Sequence, residues 1–311
     1  MASTSLASKL RVRAEMLARV RHFFAERKVL EVDTPLLSHA APIATHIEIM
    51  TIGFQNGKKG YLHSSPEYAM KRLIAQGSGD IYQLSHVFRE GEIGQRHNPE
   101  FTMIEWYRVG MLYDDLIQET LDLIRLFILE TSATTYTYAE AFEKFGGLDY
   151  RTASATDLQK IAAEHNLSHD PTWDKETFLH FLMGFLIEPQ FKGLCVLKEY
   201  PASQAALAQT LTKNGDPIAE RFEVYYNGME LANGFHELTD PIEQRRRFVE
   251  DNHERTRRGK PLLPIDENFL TALESGLPDC CGVAVGFDRL LMLQQHKTSI
   301  EDVLPFSWEL S

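Results

Sequence analysis

The chain has 311 residues, 43% of them hydrophobic, enough for a sizeable core and too apolar for a disordered protein. Its net charge of −12 argues against a surface built as a whole to bind nucleic acid. Three cysteines, Cys195, Cys280 and Cys281, show no CxxC spacing and point to a reduced, cytoplasmic compartment rather than a disulfide framework.

Met1–Ser8 is polar and short, with no targeting signal expected. Leu10, Ala14, Leu17, Val20 and Phe24 recur at helical spacing and predict a helix over Lys9–Lys28, where seven basic residues face two acidic ones. The β-branched stretch Val29–Thr34 predicts a strand ending at Pro35. Tyr61–Ser64 reads as strand and Pro66–Ala75 as helix, with Ser65 as its cap. Ile81–Arg89 and Glu100–Val109 read as strands joined by the polar loop Glu90–Pro99. A long amphipathic helix is expected over Leu112–Glu130, and a helical insertion over about 112–190, with Thr156 capping one member. Phe178–Ile187 is too short to span a bilayer and reads as a buried helix, so no membrane partner is expected. Strand character returns at Leu194–Tyr200, Arg221–Tyr226 and Met229–His236, the last two joined by Asn227-Gly228, a strong hairpin signal. Pro241–Arg258 is a charged helix; Gly282–Phe287 is an apolar strand leading into the helix Asp288–His296. The expected architecture is a single α+β domain over residues 1–311 with a largely antiparallel sheet.

Three segments hold candidate chemistry. In Phe88–Arg108, Arg89, Arg96 and His97 suit phosphate oxygens, Phe101 offers a flat face for a base, and Glu105 and Tyr107 share one face of a strand. A surface hairpin with ordinary salt bridges is the alternative. In Gly282–Arg289, Gly286 admits close backbone approach and Arg289 stands at a helix N-terminus, where anions are favoured. The alternative is a buried strand with Asp288 capping the next helix. In Glu230–Glu237, Asn233, Phe235 and Glu237 share a face suited to an ammonium-bearing ligand. Glu230 and Glu237 are the candidate ligands for Mg²⁺, against solvated acids on an edge strand. No HExxH, HxH or Cys/His zinc spacing and no GxSxG elbow occurs; His22, His165, His253 and His296 fall in polar helical stretches and are expected at the surface.

Together these segments resemble class II aminoacyl-tRNA synthetases. Val29-Leu30-Glu31-Val32-Asp33-Thr34-Pro35 is similar to motif one, Phe88-Arg89 through Phe101 to motif two, and Gly286-Phe287-Asp288-Arg289 to motif three. Ser65-Pro66-Glu67, HNPEFTMIEWY and ELANGFHEL look like the lysyl-tRNA synthetase core. YPASQAALA and ERFEVYYNGMELANGFHELTD fit more closely the free-standing paralogues of that enzyme, the elongation factor P–(R)-β-lysine ligases. The resemblance implies a class II fold without an anticodon-binding domain, a homodimer, ATP and Mg²⁺. It implies a ligase that activates (R)-β-lysine or lysine as an adenylate and transfers it to a lysine ε-amino group of elongation factor P. tRNA charging and a non-catalytic regulatory role are the alternatives.

By the same resemblance, Arg89 holds the α-phosphate and Arg289 the γ-phosphate, His97 lies on the phosphate side, Asn98 lies near adenine, Phe101 stacks on adenine, and Glu230 holds Mg²⁺–ATP. Leu231 and Gly286 complete the ATP set. Ser65, Pro66, Glu67, Glu105, Tyr107, Asn233, Phe235, Glu237 and Ala284 line the amino-acid pocket. Two positions depart from the lysyl-tRNA synthetase pattern. The glutamate that meets adenine is replaced by Gly91, leaving Glu90 or Glu92 as its substitute. The motif-three strand reads Gly282, Ala284, Gly286 instead of three glycines, and the Ala284 methyl is expected to narrow the pocket near the α-ammonium.

Overall fold

A computed structural model describes residues 5–311; the first four residues of the polar Met1–Ser8 stretch lie outside the described residues. The chain forms two compact units, one running up to Leu129 and resuming with His236–Ser311, the other Glu130–Phe235.

The first unit opens with helix α1, Leu6–Glu26, whose start is capped by the Ser5 hydroxyl accepting from the Ser8 N–H. The expected apolar stripe is buried at Val20 and Phe24, while Leu10 at its N-terminal end is 46% exposed. Phe24 anchors the helix by stacking on Tyr82, with centroids 4.2 Å apart, and by an edge contact to Trp106. Strand β1 is only Leu30–Glu31, shorter than the predicted Val29–Thr34. A small antiparallel sheet follows, β2 (Leu37–Ser38), β3 (Thr51–Gly53) and β4 (Lys59–Leu62). Helix α2 is Glu67–Ala75; Pro66 holds the cap position, and Ser65 accepts from the Glu67 N–H at 3.0 Å.

Strands β5 (Ile81–Phe88) and β6 (Glu100–Val109) form the predicted hairpin, with Glu105 opposite Gln83 and Tyr107 opposite Ile81. β1 joins β5 in parallel. Helix α3, Tyr113–Ile124, ends six residues before the predicted Glu130. Its buried Glu119 accepts from the Trp106 indole at 2.9 Å, and Arg108 is drawn to Glu119 and Asp80, which ties helix to sheet.

The second unit is less helical than expected. Strand β7, Ala133–Thr137, lies parallel to β8, Leu194–Pro201. Between them come α4 (Tyr138–Ala141), α5 (Ala155–Glu164) and α6 (Lys175–Leu182), and two π-helical turns, Phe142–Gly146 and Met183–Ile187. Ser154, not Thr156, caps α5, in a reciprocal box with Asp157. Phe178, Leu182 and Ile187 are buried as predicted, in a core with Tyr138, Phe142 and Phe191. Strand β9 (Thr210–Lys213) pairs with β10 (Asp216–Tyr226), which pairs with β11 (Met229–His236). Asn227 and Gly228 both adopt positive φ, 47° and 71°, as the tight hairpin requires.

The first unit resumes with α7 (Pro241–Arg257), capped by Asp240, and α8 (Glu267–Glu274), a helix absent from the sequence prediction. Strand β12, Cys280–Gly286, then pairs antiparallel with β6, and α9, Phe287–Gln294, follows at once. Cys195, Cys280 and Cys281 are buried and take no part in a disulfide, and His22, His165, His253 and His296 are exposed. Among the described residues no helix is long and apolar enough to cross a membrane.

Candidate active site

Antiparallel register places Gly282 beside Tyr107, Ala284 beside Glu105 and Gly286 beside Met103. Paired residues point to the same face, so the Gly-Ala-Gly side of β12 and the Glu105–Tyr107 side of β6 form one floor. The Tyr107 hydroxyl donates to Glu105 Oε1 at 2.7 Å and the Ser65 hydroxyl to Oε2 at 2.8 Å. Glu67, at the start of α2, stands 2.6 Å from Lys71 Nζ, one helical turn on. The same ammonium is 2.5 Å from Glu237 Oε2, and both Lys71 and Glu237 are wholly buried. Ser65, Glu67, Glu105, Tyr107 and Glu237 thus come together within the first unit.

Gly282 is indispensable to this packing. A Cβ there would lie 2.3 Å from the Tyr107 ring and 2.4 Å from Glu237 Oε1. Lys71 was not singled out from sequence, although its signal is plain: a lysine four residues after Glu67, on the buried face of a short amphipathic helix.

Burial and the charge of Glu67 push the Glu105 carboxyl up to about 8, against the Tyr107 and Ser65 hydrogen bonds and the charge of Lys71. Burial likewise raises Glu237, with Glu67 and Glu105 adding to the effect and Lys71 opposing it. Burial alone would lower Lys71, but Glu237 and Glu67 outweigh it and keep the ammonium charged. Burial, then Glu105, holds the Tyr107 phenol well above its ordinary range. The groups facing Glu105 are therefore Glu67, Lys71, Ser65, Tyr107 and Glu237, with Gln83 and Ala284 in register on either side.

A raised carboxyl binds its proton more tightly folded than unfolded. Its stabilising contribution is full below about pH 4.5 and is lost as pH rises through about 8. A cationic ligand favours the ionised form and releases that proton. The thermal shift produced by a ligand that brings a cation to Glu105 is thus expected to grow between pH 6 and 8 (~1–2 units around the titration). A shift independent of pH would contradict this charge assignment.

The residues expected to meet phosphate lie along the motif-two loop and the start of α9. The Arg89 guanidinium sits 5.1 Å from the Phe101 ring centroid and 3.7 Å from Glu92. Glu92 is the acid beside Arg89, whereas the Glu90 N–H is spent on the Glu48 carbonyl. Gly91 has φ +78°, a left-handed turn that glycine accommodates without strain. Arg289 Nη2 donates to His97 Nε2 at 2.8 Å. A guanidinium has no lone pair to offer, so this nitrogen of His97 is the acceptor. Burial, then the charge of Arg289, depresses the His97 pKa, which keeps the imidazole neutral.

Asn98 is buried: its amide donates to the Glu100 carbonyl at 2.7 Å and its Oδ1 accepts from the Trp308 N–H at 3.0 Å. Asp288 does not cap α9. Its carboxylate accepts from the Thr102 N–H at 2.6 Å and from Arg13 at 2.5 Å, so it clamps α9 to β6. Gly286 holds the cap position of α9 and brings Arg289 into its first turn.

Glu230, Leu231, Asn233 and Phe235 lie on β11 in the second unit. There Glu230 pairs with Tyr225, Asn233 with Glu223 and Phe235 with Arg221. Leu231 is buried, Phe235 packs against the unit's core, and Asn233 Oδ1 is buried with no hydrogen-bond partner among the described residues. No cluster of three or more His, Cys, Asp or Glu suited to a metal occurs among the described residues.

A family model described as class II tRNA synthetases (D, K and N) matches residues 1–309. The chain belongs to this family. Its α+β fold, with antiparallel-rich sheets and the β6–β12 floor, is that of a class II catalytic domain, and ATP use goes with the family. Curated relatives are similar over nearly the full length. The elongation factor P–(R)-β-lysine ligase of Edwardsiella ictaluri is 46% identical over 306 residues, 95% of this chain and 93% of the relative. That of Haemophilus influenzae is 44% identical over 302 residues, covering 95% and 93%. That of Vibrio vulnificus is 43% identical over 317 residues, covering 99% and 98%. His97, neutral and accepting from Arg289, holds that guanidinium at the start of α9, and Glu105 lies on the β6–β12 floor.

Proposed function

We propose that this protein is an ATP-dependent ligase that activates (R)-β-lysine, or lysine, and attaches it to a lysine side chain of elongation factor P. One observation carries the reading: a buried cluster of three carboxylates, Glu67, Glu105 and Glu237, against a single ammonium, Lys71. Such a cluster calls for a ligand with two cationic groups, and relatives named elongation factor P–(R)-β-lysine ligase are 43–46% identical to this chain over nearly its full length.

In the first step an oxygen of the amino-acid carboxylate attacks the α-phosphorus of ATP. The bond to the bridging oxygen breaks, pyrophosphate leaves, and an aminoacyl-adenylate remains. Arg89 and Arg289 neutralise the phosphates through planar guanidinium forks, and Phe101 presents its ring to the adenine. In the second step the deprotonated ε-amino group of the acceptor lysine attacks the adenylate carbonyl and AMP leaves, forming an amide. The acceptor supplies the nucleophile, so no Ser or Cys triad is needed.

Mg²⁺ would add positive charge at the phosphates; Glu230 is the protein carboxylate we assign to it. Glu237 was a second candidate, but the Lys71 ammonium at 2.5 Å fixes a cation on it and ties it to the amino-acid pocket. Asn233, with its buried unpartnered oxygen, suits an ammonium donor, and Phe235 an apolar lining. A homodimer and a cytoplasmic setting complete the reading.

Incubation with ATP, α-lysine or (R)-β-lysine, and either elongation factor P or tRNA tests the proposal. A mass increase on elongation factor P supports it. Label on tRNA alone would replace it with tRNA charging, and absence of pyrophosphate exchange with a non-catalytic role. Ala284 lies beside Glu105 on the pocket floor, so Ala284→Gly enlarges that floor by one methyl. The ratio of kcat/KM for α-lysine to that for β-lysine is expected to rise by about 10- to 100-fold, the worth of ~1–3 kcal/mol. An unchanged ratio would show that the methyl plays no part in selection.

A further inference from the structure

We infer that Lys71 is a specificity-determining positioning residue: it cancels one of three carboxylates and holds Glu67 and Glu237 in place, so that the pocket accepts a ligand bearing two cations and disfavours a ligand bearing one. The inference rests on the reading of this pocket as the amino-acid site.

Lys71 reaches both acids at once, Glu67 at 2.6 Å and Glu237 at 2.5 Å, from a side chain with no exposure. Its third neighbour is the Phe269 ring, 5.9 Å from Nζ, and this ring stacks on Tyr68. The ammonium is thus shut off from solvent and paired directly with these two acids. Glu105, in contrast, receives two neutral hydroxyls, from Ser65 and Tyr107. Three acids and one internal cation leave two negative charges to be matched. Buried carboxylates are tolerated when protonated or paired. In the empty pocket protons meet the deficit, which fits the elevation of Glu105 and Glu237. In the filled pocket two ammonium groups meet it. An amino acid with a neutral side chain leaves one acid unmatched, a cost that acts as selection against it. Without Lys71 the deficit becomes three, more than a diamino acid supplies, and the two acids it bridges lose their common anchor.

The Lys71→Met variant keeps an unbranched side chain one atom shorter and removes the charge. In ATP–pyrophosphate exchange its KM for (R)-β-lysine and lysine is expected to rise at least tenfold, with the KM for ATP changed less than twofold. Its amino-acid KM should improve as pH is lowered from 8 to 6, because a proton supplies the missing cation; the wild-type trend runs the other way. Combining Lys71→Met with Glu67→Gln removes one charge of each sign and restores the deficit to two. The double variant is expected to recover part of the lost affinity. The inference is overturned if Lys71→Met leaves amino-acid KM and its pH trend unchanged, or if the double variant binds no better than the single one. It is also overturned if both variants fail to show a cooperative thermal transition, which would assign Lys71 to folding alone. A wild-type protein without diamino-acid-dependent exchange would overturn the pocket reading itself.

Discussion

Arg89→Ala is expected to lower ATP–pyrophosphate exchange by two orders of magnitude or more, the equivalent of ~3 kcal/mol of transition-state stabilisation, while the fold is kept. The reasoning is electrostatic. Adenylate formation spreads negative charge over the α-phosphate, and the protein's contribution is positioning and neutralisation. The Arg89 guanidinium lies beside the Phe101 ring, and its buried Nε has no hydrogen-bond partner among the described residues. It carries no wide structural network, its nearest acid being Glu92 at 3.7 Å, so its loss should not unfold the chain. Arg89→Lys is also expected to be impaired, because an ammonium cannot present the planar fork. Near-normal exchange in the alanine variant, with an unchanged thermal transition, would remove Arg89 from the phosphate site.

Gly282→Ala is expected to abolish amino-acid-dependent exchange, or to raise the amino-acid KM by more than about 100-fold, the scale of ~3 kcal/mol. The added methyl would meet the Tyr107 ring and the Glu237 carboxylate at 2.3–2.4 Å. Neither can step aside cheaply, since the Tyr107 hydroxyl is held by Glu105 and Glu237 by Lys71. ATP binding should persist, because Arg89, His97 and Arg289 take no part in that clash. An ATP-induced thermal shift in the variant is the measurement that separates a blocked pocket from a collapsed fold. Wild-type kinetics would show that the floor has more room than its packing implies.

The two ends of the chain were readable because period and pairing agree there. Ile81–Phe88 and Glu100–Val109 alternate cleanly, and Asn227-Gly228 demands a tight hairpin, so both were predictable from local chemistry. The middle was not. Ala133–Thr137 is a β-favouring run of threonines and a tyrosine, but it sits among helical segments, and its parallel pairing to Leu194–Pro201 is a long-range event. The π-helical turns at Phe142–Gly146 and Met183–Ile187 are likewise tertiary in origin. The class II resemblance supplied the predicted site residues, and the structure brings Glu67, Glu105, Tyr107 and Glu237 together. Lys71 has a sequence signal in its spacing from Glu67, but a lysine on a helix is ordinarily solvated, and its burial comes from the packing of α2 against α8, where Tyr68 stacks on Phe269.

The left-handed turn at Gly91 bears on how such enzymes diverge. A Cβ at this position would meet no neighbour within 4 Å, so space is not the obstacle to returning the glutamate that related synthetases carry there. The obstacle is the backbone, whose φ of +78° is a conformation that glutamate rarely adopts. Reverting the residue therefore means re-threading the loop between Arg89 and Asn98. Grafts between this lineage and its tRNA-charging cousins should exchange that loop whole rather than residue by residue.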